Sequence, residues 1–312
     1  MRVAVVGLGD IAQKVYLPLL AAWEGIELLL CSRTTATVKR LQAQYHLSWG
    51  TTELDELLDW KPQAAFVLVP SVLHKDITAR LLKAGVDVLV EKPATLHSAE
   101  TRELAELADT QGRVLMVGFN RRYAPLHQQA QALWAGRPLG LCVLEKHRAS
   151  AAHPDLFSNY IDDTIHIIDL LRFFCGDGVA VSTVQQVSEG RLVGAVSAVA
   201  LPAGGYGLVV TNLQAGRWTE RYALHGGGAS MYITAFSRLS LVTAQSEQVW
   251  EGSGGDWMPM LEARGFVNQI QHFFDCVRSR QQPLTSAWEV FKTQRLLEEM
   301  VALTVGAASH SV

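Results

Sequence analysis

Several things are scarce in this sequence, and each scarcity closes off a class of protein. Only four cysteines occur in 312 residues. Cys31, Cys142, Cys175 and Cys276 are scattered without metal-ligand spacing, which argues against a disulfide scaffold and a metal module. Reduced thiols in a cytoplasmic protein are the expectation, with no metal site. Basic charge is not in excess: 27 Lys and Arg stand against 30 Asp and Glu, a formal charge of −3. That removes the electrostatic case for nucleic acid or an anionic membrane as a partner. No uncharged apolar run reaches membrane-spanning length. "MRVAVVGLGD" has one basic residue, a short apolar run and no small-residue cleavage site, so a signal peptide is not expected. Repeats and low-complexity tracts are also missing. What remains is a chain 49% hydrophobic and 18% charged. It is long enough for two domains, each with its own core.

The first third reads as a nucleotide-binding unit. "RVAVVG" (Arg2–Gly7) is a β-branched apolar run, hence a buried strand, and a helical pattern begins near Ile11. Between them Gly7, Gly9 and Ala12 fit G-x-G-x-x-G/A. The first glycine permits a tight turn, the second lets backbone approach a pyrophosphate, and the third small residue lets helix and strand pack closely. The diphosphate would then meet the N–H groups and dipole of the helix N-terminus. Glu27–Cys31, Ala64–Val69, Val86–Glu91 and Arg113–Phe119 read as further strands, with amphipathic segments at Thr37–Tyr45, Ser71–Ala84 and Ser98–Gln111. This βαβ rhythm implies a doubly wound parallel sheet.

The end of the second strand bears on coenzyme choice. An acid about 20 residues past the glycines would hold a ribose 2′-hydroxyl. Here Ser32 and Arg33 stand instead. A hydroxyl and a guanidinium suit a 2′-phosphate, so NADP(H) is favoured over NAD(H). The alternative is that Arg33 is a solvated loop cation.

In "YIDDTIHIIDLL" (Tyr160–Leu171), Asp162 and His166 are four residues apart, which on an α-helix puts them on one face. The pair suits proton handling, since imidazole titrates near neutral pH. The competing reading is a solvated stripe of Asp162, His166 and Asp169.

"EKP" (Glu91–Pro93), "GFNRRY" (Gly118–Tyr123) and Asp162-x-x-x-His166, with the glycine turn, resemble the Gfo/Idh/MocA family of nicotinamide-dependent oxidoreductases. The resemblance covers nearly the whole chain and is closest to the MviM-type branch. "VPSVLH" (Val69–His74) resembles that family's loop beside the nucleotide, and Gly265–Glu298 resembles its closing helices. The resemblance implies Lys92, Asp162 and His166 as catalytic residues. It implies Gly7, Gly9, Asp10, Ile11, Ala12, Ser32, Arg33, Pro70, Ser71, His74, Glu91 and Lys92 as the coenzyme site. A cis Lys92–Pro93 bond is implied as well. Lys92 would place charge beside a developing alkoxide and His166 would move the hydroxyl proton, with Asp162 orienting its ring. One departure is Thr164, where many members have glycine two residues before the histidine.

Asn120, Arg122, Tyr123, Lys146 and Arg148 are the candidate substrate residues. Arg121 and Arg122 would either hold an anionic substrate or pair with acids to brace the domain junction, with bracing favoured for at least one. Lys146 and Arg148 alternate on a strand and share a face, which either lines a cleft or is solvated. From about Tyr123 the rhythm becomes that of an α+β domain with a large, open, mostly antiparallel sheet. It includes a hairpin turning at Gly226–Gly228, helices at Tyr160–Cys175, Gly265–Ser279 and Ala287–Val305, and Trp218, Trp250 and Trp257 as core, interface or lid residues. The expected division is 1–120 and 121–312, with a homodimer or dimer of dimers formed through the second sheet.

The expected function is NADP-dependent hydride transfer to or from a sugar, polyol or related hydroxy/keto compound. A nicotinamide-assisted lyase or glycosidase of the same fold, and a non-catalytic nucleotide sensor, are the alternatives.

Overall fold

In the computed structural model, residues 1–150, 153–252 and 259–306 are described. Trp257 and the expected role for it lie outside them. The chain divides into two units, Met1–Phe119 with Phe266–Phe291, and Asn120–Gly265 with Lys292–Val312.

In the first unit the apolar runs become β1 (Arg2–Val6), β2 (Glu27–Cys31), β3 (Trp49–Thr51), β4 (Ala64–Val67), β5 (Asp87–Val90) and β6 (Leu115–Val117). They form a parallel sheet in the order β3-β2-β1-β4-β5-β6. β4 and β5 are buried along their whole length, as strands covered by helices on both faces require, with Asp87 at the start of β5 paired to Arg280. The order reverses between β1 and β4, so a crevice opens beyond the carboxyl ends of these strands, where such folds bind ligands.

The helix Phe266–Ser279 belongs to this unit, although the sequence division assigned it to 121–312. Its apolar face supplies the reason. Phe273 and Phe274 pack against Phe66 of β4 at ring-centroid distances of 5.4 and 5.9 Å, and Gln269 Nε2 donates to Tyr16 Oη at 2.9 Å. Burying one such ring is worth about 1.5–3 kcal/mol, enough to decide where a helix docks.

The second unit is built on a nine-stranded sheet. Its strands are β7 (Leu141–His147), β8 (Val179–Ser188), β9 (Arg191–Ala200), β10 (Tyr206–Asn212), β11 (Thr219–Gly226), β12 (Ala229–Thr234), β13 (Arg238–Thr243), β14 (Glu247–Glu251) and β15 (Thr304–Gly306). The order is β14-β13-β12-β11-β7-β10-β9-β8-β15, antiparallel except at β7/β10 and β8/β15. The β11–β12 hairpin turns where the sequence placed it. Gly227 and Gly228 have φ of +55° and +74°, the left-handed pair that a tight hairpin demands.

The helix Ile165–Cys175 lies on one face of this sheet. Gly207 allows the approach, because a Cβ there would stand 2.6 Å from Leu171 Cδ1. The other face leaves Val184, Val196 and Tyr206 largely exposed. No described helix in the chain is long and apolar enough to cross a membrane.

Candidate active-site elements in the two units

At the end of β1, Gly7 adopts φ +95°, and a Cβ on it would lie 2.6 Å from the main-chain carbon of Leu68. Both facts exclude any other residue where β1 passes the exit of β4. A Cβ on Gly9 would meet nothing within 4 Å, so this glycine leaves space rather than relieving a clash. Ala12 is fully buried and starts a π-helical stretch, Ala12–Tyr16, that runs into Leu17–Leu20.

A cleft of about 410 Å³ opens beside this turn. Gly7, Gly9, Ser32, Arg33 and Pro70 line it, as do Thr34, Thr37 and Thr52, which sequence reasoning missed. Thr52 arrives just after β3, a strand too short to announce itself by periodicity. Arg33 is exposed and is the one charged side chain among the sixteen lining residues. Asp10, Ile11, Ser71, His74, Glu91 and Lys92 are not among them. Asp10 is exposed and pairs with Lys14 at 2.6 Å.

The other expected coenzyme residues build the loops around the sheet's carboxyl edge. His74 is fully buried, with Nδ1 2.7 Å from Pro93 O and Nε2 2.8 Å from Val69 O. The ring therefore staples the loop after β4 to the turn after β5, and burial pushes its pKa down. The Lys92–Pro93 bond is cis. Glu91, also buried, accepts from Tyr16 Oη at 2.5 Å and from Lys92 N at 3.0 Å. Burial, then the Glu91 charge, raises the Tyr16 pKa well above the ordinary phenol value. Gly118 is small for a related reason, since a Cβ there would stand 2.8 Å from Glu91 Oε1. Half-buried Lys92 follows directly at the carboxyl end of β5.

In the second unit the sequence centred attention on Asp162, but the structure centres the charge on Asp163. The helix is π-helical over Tyr160–Thr164 before it becomes α-helical at Ile165–Cys175. Such stretches concentrate at functional sites and change which side chains share a face. Asp162 is exposed, with its carboxylate 3.2 Å from His153 Nε2, whereas Asp163 and His166 are buried. Asp169 is fully buried too, so the solvated-stripe reading does not hold.

Asp163 is the acceptor for two cations from the inner face of the sheet. Lys146 Nζ lies 2.8 Å from its Oδ1, and Arg148 binds both of its oxygens. Glu220, directly across from Lys146 on β11, binds Arg121 through two hydrogen bonds of 2.9 and 2.6 Å and accepts from Tyr222 Oη at 2.6 Å. Burial, then the Arg121 charge, pushes the Lys146 pKa down to about 8, against the pull of Glu220 and Asp163. Burial alone would raise the Asp163 carboxyl, but Arg148 and Lys146 hold it at about 2. Arg121 and Lys146 likewise hold the Glu220 carboxyl well below the usual range.

Arg122 makes a two-point pair with Asp169, both contacts 2.7 Å. Arg121 and Arg122 thus both brace the interior of the second unit. Asn120 Nδ2 donates to Arg264 O at 2.8 Å, Tyr123 is buried, and Arg148 remains half-exposed. Thr164, at the position of the departure from the family pattern, donates to Asn159 Oδ1 at 2.8 Å. The sequence could not show Glu220 as a partner, because strand pairing alone brings it opposite Lys146.

Residues 1–119 match the family described as "Oxidoreductase family, NAD-binding Rossmann fold" (GFO_IDH_MocA). The YceM protein of Salmonella typhimurium is 28% identical over 96% of this chain and 97% of its own length. The scyllo-inositol 2-dehydrogenase (NAD(+)) of Bacillus subtilis is 24% identical over 92% of this chain and 89% of its own. A solved structure of the dehydrogenase MviM from Clostridium difficile shares the fold, with a TM-score of 0.89 over 97% of this chain and 99% of that one, at 24% identity.

Proposed function

We propose that this chain, whose residues 1–119 match the Gfo/Idh/MocA oxidoreductase family, transfers a hydride between NADP(H) and a sugar, polyol or related hydroxy/keto compound. The observation that carries the coenzyme choice is the rim of the first unit's cleft at the end of β2. Ser32, Arg33 and Thr34 stand there, with no carboxylate among the lining residues. The cleft also fits a dinucleotide diphosphate at the glycine turn, because Gly9 leaves open space where a side chain would stand.

When bound, the nicotinamide supplies the hydride donor or acceptor. The chain's own residues supply charge and proton handling. Lys92, at the carboxyl end of β5, is the proposed cation for an oxygen that becomes alkoxide-like. His166 is the proposed carrier of the hydroxyl proton, and Asp162 its helper on the preceding turn. Arg148, half-exposed on the inner face of the second sheet, is the proposed selector of polar substrates; Lys146, expected from the sequence to share that role, is instead buried and holds Asp163. The name of the inositol dehydrogenase relative supports a polyhydroxylated substrate class.

Titration of NADPH and NADH against wild type, Arg33→Ala and Ser32→Asp tests the proposal. Loss of a charge-assisted contact to a 2′-phosphate should weaken NADPH about 10- to 150-fold and leave NADH nearly unchanged. Ser32→Asp should reverse the preference. Equal losses for both coenzymes, or a wild type that prefers NADH, would overturn the NADP assignment.

A further inference from the structure

A second cleft of about 410 Å³ lies wholly within the second unit, where β11 begins and β12 ends, beside the short helix Met260–Ala263. Two arginines and two aromatic residues line it: Arg217, Arg264, Trp218 and Phe236. Arg221, at its rim, alternates with inward-facing Glu220 and so faces the other side of the sheet, opposite Glu145. Arg264 is half-buried, with its guanidinium carbon 5.7 Å from the Trp218 ring centroid and 5.4 Å from that of Phe236. Among the described residues, no carboxylate pairs with Arg217 or Arg264. The other buried arginines of this unit each hold one: Arg121 takes Glu220, Arg122 takes Asp169 and Arg172 takes Asp177. Glu220 also lines the cleft, but its carboxylate is occupied by Arg121 and Tyr222.

A partly desolvated cation beside a second buried cation is costly without a counter-charge. Burial, then Arg121, accordingly lowers the Arg264 pKa. The Trp218 and Phe236 rings stand within cation–π reach of the Arg264 guanidinium, which leaves its N–H groups for an oxyanion acceptor.

We propose that this cleft binds a small organic oxyanion, the carboxylate or phosphoryl group of a metabolite. Its oxygens would lie on the N–H edges of Arg264 and Arg217, and its carbon body against Trp218 and Phe236. The site uses no residue of the coenzyme cleft and stands or falls independently of the hydride-transfer reading.

The test follows the Trp218 indole ¹⁵N–¹H resonance in full-length protein labelled at tryptophan, assigned with Trp218→Phe. An Arg33→Ala background keeps the coenzyme cleft from competing for the anion. Inorganic phosphate and acetate are titrated separately, with chloride holding ionic strength constant. Saturable movement with phosphate identifies a phosphoryl site, and saturable movement with acetate alone identifies a carboxylate site. Arg264→Gln should weaken the binding about tenfold or more. The exposed Arg217→Gln, which leaves the buried contacts intact, should weaken it about threefold or more and decides the matter if Arg264→Gln fails to fold. Failure of both anions to saturate the resonance would overturn the proposal. So would variants that titrate like their parent.

Discussion

Lys146 holds Asp163 at two points: its Nζ donates to the main-chain oxygen at 2.7 Å and lies 2.8 Å from the carboxylate. One buried cation thus fixes both the path of the π-helical stretch and the charge it carries. The Asp163 carboxyl sits at about 2 in the folded protein against an ordinary 3.8. Its folded pKa is depressed, so its stabilisation is full above the unfolded value and is lost as pH falls through about 2. Asp163→Asn should therefore cost about 2 kcal/mol near neutral pH, and the gap should shrink to roughly half by about pH 3. Urea unfolding of both proteins across that range checks it. A gap that stays constant would show that the cost comes from lost packing rather than from the ion pairs.

Lys92→Ala should leave coenzyme affinity largely intact while kcat falls by about two to three orders of magnitude. Charge stabilisation of a developing alkoxide acts mainly in the transition state. Separate measurements of coenzyme Kd and kcat decide this, and near-normal kcat would end the assignment of Lys92.

His166→Ala should lower turnover about 10²- to 10⁴-fold, the usual range for a lost general acid–base. Asp162→Asn should cost less, since Asp162 is exposed and lies beside His153. Steady-state kinetics on cleanly folded variants is the check. Wild-type rates without the imidazole would return His166 to a packing role.

The outer face of the second sheet is proposed as a dimer contact. Val184 and Val196 face one another on β8 and β9, with Val210 on β10 opposite Val196, and Tyr206 stands further along the same face of β10. Val184, Val196 and Tyr206 are 50%, 43% and 59% exposed, a patch broad enough to favour burial. Light scattering should report a dimer or a dimer of dimers, and Val184→Lys with Val196→Glu should dissociate it without unfolding the subunit. A wild-type monomer at tens of micromolar would exclude the contact.

Much of the first unit is determined locally. β2 occupies the predicted Glu27–Cys31, and Gly7, Gly9 and Ala12 take the turn their spacing implies, because strand runs and glycine turns are short-range properties. The cis Lys92–Pro93 bond was legible through the family motif alone. Tertiary structure decided the rest. It chose Asp163 over Asp162 as the buried carboxylate, since a π-helical stretch breaks the 3.6-residue arithmetic on which the sequence reading relied. It also gave Phe266–Ser279 to the first unit, where Phe273 and Phe274 find Phe66. Glu220 became the counter-charge of Arg121 because β11 pairs with β7 in a register that no local pattern encodes. The sequence determined which residues could carry charge through the core; long-range packing decided which carboxylate each cation would meet, because a buried charge is stable only where the fold brings it a partner.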